Sequence, residues 1–247
     1  MRYALAALIL AIPTAHAITD IEEKRRNGES QGWQNKIEAG FDMESGNNEK
    51  RAGSLALNSS WQGQEYRFFS WASRDYESFN GDRTDDNTFA HARMVRNFRE
   101  RWAQEAFLQY ERDPFASLQH RYLAGGGVRF QHKFNDKGLI NQGLGLFHEQ
   151  VAETGTDGTA THELTRVNLY THFEWAFSHS HFQTTVYVQP SVDDVDDVRS
   201  LVRATLTMPV SQQVDFKWQW QSRWDTMPPE GSEYHNHQTQ LKLSVRF

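Results

Sequence analysis

Apolar and polar side chains alternate one by one along most of the chain after residue 33. Between residues 214 and 220, Val, Phe and Trp take the even positions and charged or amide side chains lie between them, and 167–177 and 241–247 show the same pattern. A period of two is the signature of a β-strand with one apolar and one polar face. The alternation is less regular around Phe68-Phe69 and along 89–98. The pattern predicts twelve strands, at 33–43, 51–61, 64–75, 88–98, 102–112, 118–134, 139–150, 163–177, 181–190, 198–209, 212–224 and 234–247.

The connections between these strands alternate in length. Short ones fall near 62–63, 99–101, 135–138, 178–180 and 210–211, and longer ones at 44–50, 76–87, 113–117, 152–162, 191–197 and 225–233. Barrels of bacterial outer membranes combine short periplasmic turns with longer outer loops. With an even number of strands, both termini are expected in the periplasm.

Composition favours a membrane barrel over a globular β-sandwich. Only 38% of the residues are hydrophobic and the mean hydropathy is −0.76, yet 13% are aromatic and eight are Trp. Such a chain suits a barrel with an apolar outside and a wet inside. We therefore expect residues 33–247 to form one all-β domain, a transmembrane antiparallel β-barrel of about twelve strands in the bacterial outer membrane.

The start of the chain has the features of a secretory signal peptide. Met1-Arg2 precedes an apolar run that ends near Pro13, and 15–17 reads Ala-His-Ala. The run is shorter than the about 20 residues of a membrane-spanning helix. Residues 1–17 are thus expected to be removed, and an uncleaved anchor is the alternative. Residues 18–32 are polar and without a clear period, and we expect them to form a periplasmic tail.

Net charge and cysteine content exclude several classes of partner and binding site. Loss of Arg2 leaves 25 basic against 32 acidic residues, so the net charge changes from −6 to −7, which disfavours nucleic-acid binding. The absence of cysteine excludes a lipoprotein anchor, disulfides and thiolate metal sites. The expected partners are outer-membrane lipid and lipopolysaccharide, together with the barrel-assembly machinery, for which the terminal Phe247 is the expected assembly signal. No cofactor is expected.

Several short motifs along the chain carry a family resemblance. They are 110–115 (Tyr-Glu-Arg-Asp-Pro-Phe), Arg121, 125–130 (Gly-Gly-Gly-Val-Arg-Phe), 143–145 with Glu149, Pro190, Arg199, 225–231 (Asp-Thr-Met-Pro-Pro-Glu-Gly) and Phe247. Together they resemble the family of salt-induced outer-membrane proteins called YdiY-like, a domain family of unknown function. The resemblance implies an outer-membrane barrel over about 33–247 and implies no reaction.

Three features invite chemical interpretations, and each has a simpler one. His235 and His237 beside Asn236, like 161–162 and 178–181, could belong to a lipid-modifying enzyme, but a G-x-S-x-G nucleophile motif is absent. We expect no catalysis. The triple glycine 125–127 has no Lys-Ser/Thr after it and is not a phosphate loop; it is expected to let the wall bend or a side chain pack closely. The acidic run 193–197 is expected to be a solvated loop, with a weak divalent-cation site as the alternative. Its carboxylates are Asp193, Asp194, Asp196 and Asp197.

Strand parity predicts a basic lumen. The parity places eleven basic and six acidic side chains inside, an excess of +5. The basic ones are Lys36, Arg67, Arg93, Arg121, Arg129, Arg166, Arg203, Lys217, Arg223, Lys242 and Arg246, and the acids are Glu38, Asp42, Glu105, Glu111, Glu149 and Glu174.

Besides the lipid-modifying enzyme, which is kept as an alternative, two functions remain open on this basis. A narrow water-filled pore with a mild anion preference, or a stress-related envelope component, is the first expectation, because six acids cannot neutralise eleven bases in a dry interior. A closed structural barrel, in which the charges pair across the lumen, is the alternative. Twelve strands lie between the filled eight-stranded and the open sixteen-stranded barrels.

Overall fold

The computed structural model describes residues 31–211, 213–228 and 233–245, and within them it contains twelve strands and one short 3₁₀ turn, Pro114–Ala116. The strands follow one another in a single antiparallel sheet, each paired with its neighbours along the chain. The prediction of an all-β fold with about twelve antiparallel strands is confirmed. The strands are β1 Gly32–Glu44, β2 Lys50–Gln62, β3 Tyr66–Phe79, β4 Asp82–Arg99, β5 Trp102–Asp113, β6 Leu118–Phe134, β7 Gly138–Gly155, β8 Gly158–Ala176, β9 His181–Pro190, β10 Val198–Pro209, β11 Val214–Asp225 and β12 His235–Val245.

The strands β3, β4, β7 and β8 are longer than predicted on one side of the sheet. Two-residue turns connect them, Asn80-Gly81 between β3 and β4 and Thr156-Asp157 between β7 and β8. The prediction of long loops at 76–87 and 152–162 is wrong. Asn80 and Gly81 have φ of 50° and 88°, the conformation of a tight hairpin turn that Asn-Gly favours.

The sheet curls, so that one face encloses an interior. Arg199 on β10 reaches Glu149 on β7 with 2.6 Å between nitrogen and oxygen, although two strands separate them. The rings of Phe107 on β5 and Phe147 on β7 lie 6.2 Å apart across β6. We call this concave side the inner face and the other side the outer face.

The margins of the sheet are β1 and β12. In the described part of the chain no hydrogen-bonded register joins these two strands, and side chains on both of their faces are largely exposed. The outer face carries most of the exposed large apolar residues, such as Leu108, Leu144 and Leu243. Among the described residues, no helix has the length and apolarity needed to span a membrane.

Candidate functional site: the charge network of the inner face

The registers decide the face of each predicted lumen residue. Arg129 pairs with Ala103 and Gly143, and the same row holds Tyr170 on β8, Tyr187 on β9 and Leu201 on β10. The structure places the following predicted side chains on the inner face: Lys36, Glu38, Asp42, Arg67, Arg93, Glu105, Glu111, Arg121, Arg129, Glu149, Arg166, Glu174, Arg203, Lys217, Arg223 and Lys242. Arg246 and Phe247 lie outside the described residues, as do the predicted signal peptide and residues 18–30.

Glu149 is the centre of a buried charge network. Its side chain is 0% exposed, and its carboxylate accepts hydrogen bonds from Arg121 Nε at 2.8 Å, Arg166 Nε at 3.0 Å and Arg199 Nη1 at 2.6 Å. These arginines come from β6, β8 and β10. One carboxylate thus links four strands, and a hydrogen bond to a charged partner is the strong kind.

Two aspartates complete the network at the strand ends next to the 191–197 connection. Arg166 binds Asp197 through two parallel hydrogen bonds of 3.0 and 2.7 Å, and Arg199 Nε donates to Asp225 at 2.9 Å. The expectation that the run 193–197 is a solvated loop is wrong for the buried side chain of Asp197, and Asp225, predicted to begin a connection, is the last residue of β11. Residues 191–197 fold back against β8, where Ser191 bridges Arg166 and Val192 N donates to Thr165 O.

A second buried cluster lies on β4 to β6. Glu105 accepts from Arg93 Nη1 at 2.6 Å, and Arg129 Nε lies 3.3 Å from its other oxygen. Arg93 also lies over the Phe107 ring, 4.7 Å from the ring centroid. His91 stacks on Trp71 at 4.4 Å and hydrogen-bonds Gln109 at 2.7 Å. Buried arginines are thus held by carboxylates and by aromatic rings.

A third group involves Glu174. Its carboxylate lies 2.7 Å from His172 Nε2, and His172 Nδ1 lies 2.8 Å from Thr185 Oγ1. Arg203 donates to Gln221 at 2.9 Å. Amide and hydroxyl groups, as well as carboxylates, therefore hydrogen-bond the polar and charged side chains of the inner face.

Apolar side chains fill the interior between these groups. Tyr170, Tyr187 and Leu201 form one buried cluster, and Phe69, Val95 and Ala103 form another. Sequence parity left the orientation of Phe69 and of 89–98 ambiguous, and the register with Arg93 resolves it. The inner face is therefore a mixture of ion pairs and aromatic packing.

Inner-face glycines let these large groups approach the wall. A Cβ at Gly143 would overlap the Tyr170 ring, and one at Gly125 would overlap Phe147 Cβ. A Cβ at Gly126, on the outer face, would lie 2.7 Å from the Glu105 carbonyl oxygen. The expectation of close packing at the triple glycine is confirmed, because a side chain would collide there with a neighbouring strand.

The inner face near β1 to β3 is less crowded. A cavity of about 420 Å³ lies there, lined by Lys36, Glu38, Asn58, Ser60 and Trp71 among others. Lys36 forms an ion pair of 2.8 Å with Glu38, and both side chains are more than half exposed. Solvent therefore reaches this part of the inner face, as it does along β12 at the other margin of the sheet.

The acidic run 193–197 does not form one cluster. Asp197 is committed to Arg166, while Asp193 Oδ2 accepts from Thr165 N at 3.3 Å and Asp194 Oδ1 from Asp196 N at 3.0 Å. No group of three or more potential metal ligands occurs among the residues that the structure describes.

The histidines near the last hairpin face outward. His237 Nδ1 lies 2.6 Å from Ser222 Oγ, beside the rings of Trp220 and Trp224. Asn236, between the two histidines, points to the inner face opposite Arg223. Ser222 is fully buried, and its contact with His237 links β11 to β12.

Comparison with known proteins places the chain in a family. The model of the domain described as "Protein of unknown function, DUF481" matches residues 37–247. The chain belongs to the DUF481 family. The resemblance to the YdiY-like proteins of unknown function is thereby confirmed. No curated protein matches this DUF481 chain significantly.

Solved structures similar to the DUF481 chain share little sequence with it. The NanC porin has 12% identity and a TM-score of 0.47, with 87% of this chain and 99% of that chain covered. The translocator domain of the autotransporter NalP from Neisseria meningitidis has 11% identity and a TM-score of 0.45, with 91% and 92% covered. A structure described as a bacterial polysaccharide outer membrane secretin has 10% identity and a TM-score of 0.47, with 87% and 91% covered.

Proposed function

We propose that this chain is a transmembrane β-barrel of the bacterial outer membrane whose interior is closed to steady ion flow by its charge network. Two features of the chain support the membrane location. Apolar residues of the outer face are exposed along the strands, while ion pairs fill the inner face. Such an inside-out distribution suits lipid as the outer solvent.

The observation that carries the closed state is the burial of Glu149 among three arginines. Glu149 and Arg166 are both 0% exposed, although both are charged and lie in the interior of a curled sheet. A water-filled channel at this level would expose at least one side of such a network. The ion pairs instead connect β6, β7, β8 and β10 and leave no exposed surface on the central carboxylate.

The acidic partners outside the predicted inventory weaken the case for a wet lumen. That case depended on eleven bases facing six acids. Asp197 and Asp225 add two carboxylates inside, while Arg199 adds one base. Aromatic rings and amides provide further partners, as Phe107 does for Arg93 and Gln221 for Arg203. The count becomes twelve bases against eight acids, so the excess falls from +5 to +4, and these uncharged groups bind some of the remaining basic side chains.

A narrow pore is the second candidate, and one specific observation favours it. The polar cavity of about 420 Å³ along β1 to β3 offers a path beside the network, with Lys36 as an exposed cation. In this case the passage, with its mild anion preference, would follow these strands and not the centre of the barrel.

Conductance of the purified full-length protein in planar bilayers tests the two candidates. The closed barrel predicts no steady channels for the wild type and fluctuating openings for Glu149→Gln, because three arginines then lose their shared anion. Lys36→Glu is the matched variant on the less crowded side and should leave the wild-type trace unchanged. Steady wild-type conductance whose anion preference reverses in Lys36→Glu would replace the closed barrel with the pore.

A further inference from the structure

Three arginines surround one buried aspartate on the outer face, beyond the rows of apolar side chains. Asp86 on β4 is buried, and its carboxylate accepts hydrogen bonds from Arg74 at 3.2 Å, Arg83 at 2.9 Å and Arg112 at 3.0 Å. The arginine side chains are 63%, 53% and 31% exposed in that order. Three positive charges against one negative charge leave this cluster with +2. We call it the Asp86 cluster.

The cluster lies next to an apolar groove in the outer face. The groove has a volume of about 910 Å³ and crosses β1 to β8. Its floor consists largely of small side chains, such as Ala72, Ala90, Ala92 and Ala124, between the larger Leu57 and Leu108. Small residues in the middle of a row of large ones produce an indentation in the surface that would face lipid.

Strand registers fix the position of the cluster relative to the groove. Ala72, Ala90 and Tyr110 stand opposite one another in one row, and Arg74, Thr88 and Arg112 form the next outward-facing row. Two residues along a strand correspond to about 7 Å. The arginines thus lie directly beyond the groove, on the side of the Asn80-Gly81 turn.

Aromatic rings lie at the boundary between the groove and the Asp86 cluster. Tyr110 and Tyr122 are adjacent on β5 and β6, with ring centroids 5.1 Å apart, at the edge of the groove nearest the cluster. Tyrosine is enriched where hydrocarbon meets head groups. At the other end of the same strands Trp102 and Phe130 form a second aromatic pair, 5.0 Å apart. The groove therefore lies at hydrocarbon depth and the arginines lie at head-group depth.

We propose that the groove and the Asp86 cluster together bind one lipid A moiety of lipopolysaccharide, with an acyl chain in the groove and a phosphate on the arginines. This inference rests on the proposed outer-membrane location. Arginine binds phosphate with parallel hydrogen bonds, and the excess of +2 complements a phosphate of about −1.5 to −2 charge. Asp86 holds the three guanidinium groups together in the absence of the anion. Farther along the row of Tyr110 and Tyr122, on β8, the carboxylate of Glu163 accepts a hydrogen bond from Gln150.

The end of the barrel at which the Asp86 cluster lies distinguishes lipid A of the outer leaflet from an anionic phospholipid of the inner leaflet. The Asn80-Gly81 turn lies on the side that the topology assigns to the cell exterior, where lipid A forms the outer leaflet. An anionic phospholipid of the inner leaflet would meet the Trp102–Phe130 end. Arg96 on β4 is an exposed outer-face arginine at that end, 5.6 Å from the Tyr66 ring centroid, and the ion pairs among the described residues do not include it.

Binding of purified lipid A to the full-length protein in detergent tests the proposal. The titrated probes are bis-phosphorylated lipid A and its dephosphorylated form, and native mass spectrometry reports the bound fraction. Arg74→Gln combined with Arg112→Gln should weaken binding of the phosphorylated form by about tenfold or more, because two charge-assisted contacts are lost. Arg96→Gln is the matched control and should bind like the wild type.

Filling the groove provides a second, independent variant. Ala92→Phe should weaken binding of both lipid forms, whereas Leu144→Phe on the outer face of β7 should not. Equal affinity of the wild type for the two lipid forms, or an unchanged Kd in the double arginine variant, would overturn the proposal. The measurement in detergent depends neither on conductance nor on cell location. A protein that binds lipid A but is recovered in soluble form would overturn the proposed location alone.

Discussion

At the scale of single residues, the interior depends on charges that cannot exist there alone. Glu149 and Arg166 are fully buried, and each has partners of opposite charge from other strands. Removing water from an ion is expensive, so such a pair stabilises the fold only when every charge is matched. Removing one partner leaves the others buried without compensation.

Glu149→Gln should therefore lower the free energy of unfolding by about 3–5 kcal/mol, the usual result of breaking a buried ion pair. The measurement is a urea titration of protein folded in lipid vesicles. Glu163→Gln on the outer face is the control, because its exposed contact with Gln150 should contribute less than about 1 kcal/mol. Equal losses in the two variants would show that the network does not stabilise the barrel.

Gly143 supplies a second test at this scale. Its missing side chain makes room for the Tyr170 ring, so Gly143→Ala should destabilise the barrel by about 1–3 kcal/mol through overpacking. Gly53 on β2 has no heavy atom within 4 Å of a Cβ position, and Gly53→Ala should be neutral or stabilising. Combining Gly143→Ala with Tyr170→Ala should recover part of the loss. Additive effects of the two changes would contradict direct packing.

At the scale of the strand, two residues that are adjacent in sequence face different environments. On β12 Lys242 belongs to the inner face and Leu243 to the outer face, where Leu243 is 66% exposed. On β11 Lys217 and Trp218 divide in the same way. Each strand thus has a lipid side and a lumen side, and a charge should cost very different amounts on the two.

Leu243→Arg should cost about 2–4 kcal/mol if the residue lies near the bilayer midplane. Lys242→Arg, on the neighbouring position, keeps the charge on the inner face and should change stability little. The midpoints of heat modification on electrophoresis, measured for both variants, provide the comparison. A larger loss in Lys242→Arg would reverse the assignment of faces.

At the scale of the whole molecule, the meander puts all turns at two ends. The Asn80-Gly81 and Thr156-Asp157 turns lie at one end, together with 191–197 and the Asp86 cluster. The turns at 100–101 and 135–137 lie at the other end. In the proposed orientation the first end faces the cell exterior.

An epitope inserted between Asn80 and Gly81 should be labelled on intact cells, while the same epitope at Asp136 should be labelled only after the outer membrane is opened. Both proteins should appear in the outer-membrane fraction with normal heat modification, which controls for folding. Labelling at Asp136 in intact cells would invert the topology, and recovery of both proteins in the soluble periplasm would refute the membrane location.

Although the sequence left Phe69 and 89–98 ambiguous, by itself it determined the number of strands, the approximate bounds of most of them and the face of most strand side chains. It could do so because alternation is local: every other residue of a strand shares an environment, so parity in one stretch is enough. It also indicated the triple glycine as a place of close packing. It did not predict the Asn80-Gly81 turn, since the polar residues around it resemble a loop.

Only the tertiary structure decided which charges meet. Glu149 and Arg199 are 50 residues apart, and their contact depends on how strongly the sheet curls, which no local pattern encodes. The contacts of Asp197 and Asp225 were equally unpredictable, because a residue near a strand end points inward or outward depending on how the connection folds back. The Asp86 cluster likewise collects arginines from β3, β4 and β5 through register alone. Parity states which face a charge is on, and only the curvature and registers of twelve strands determine its partner.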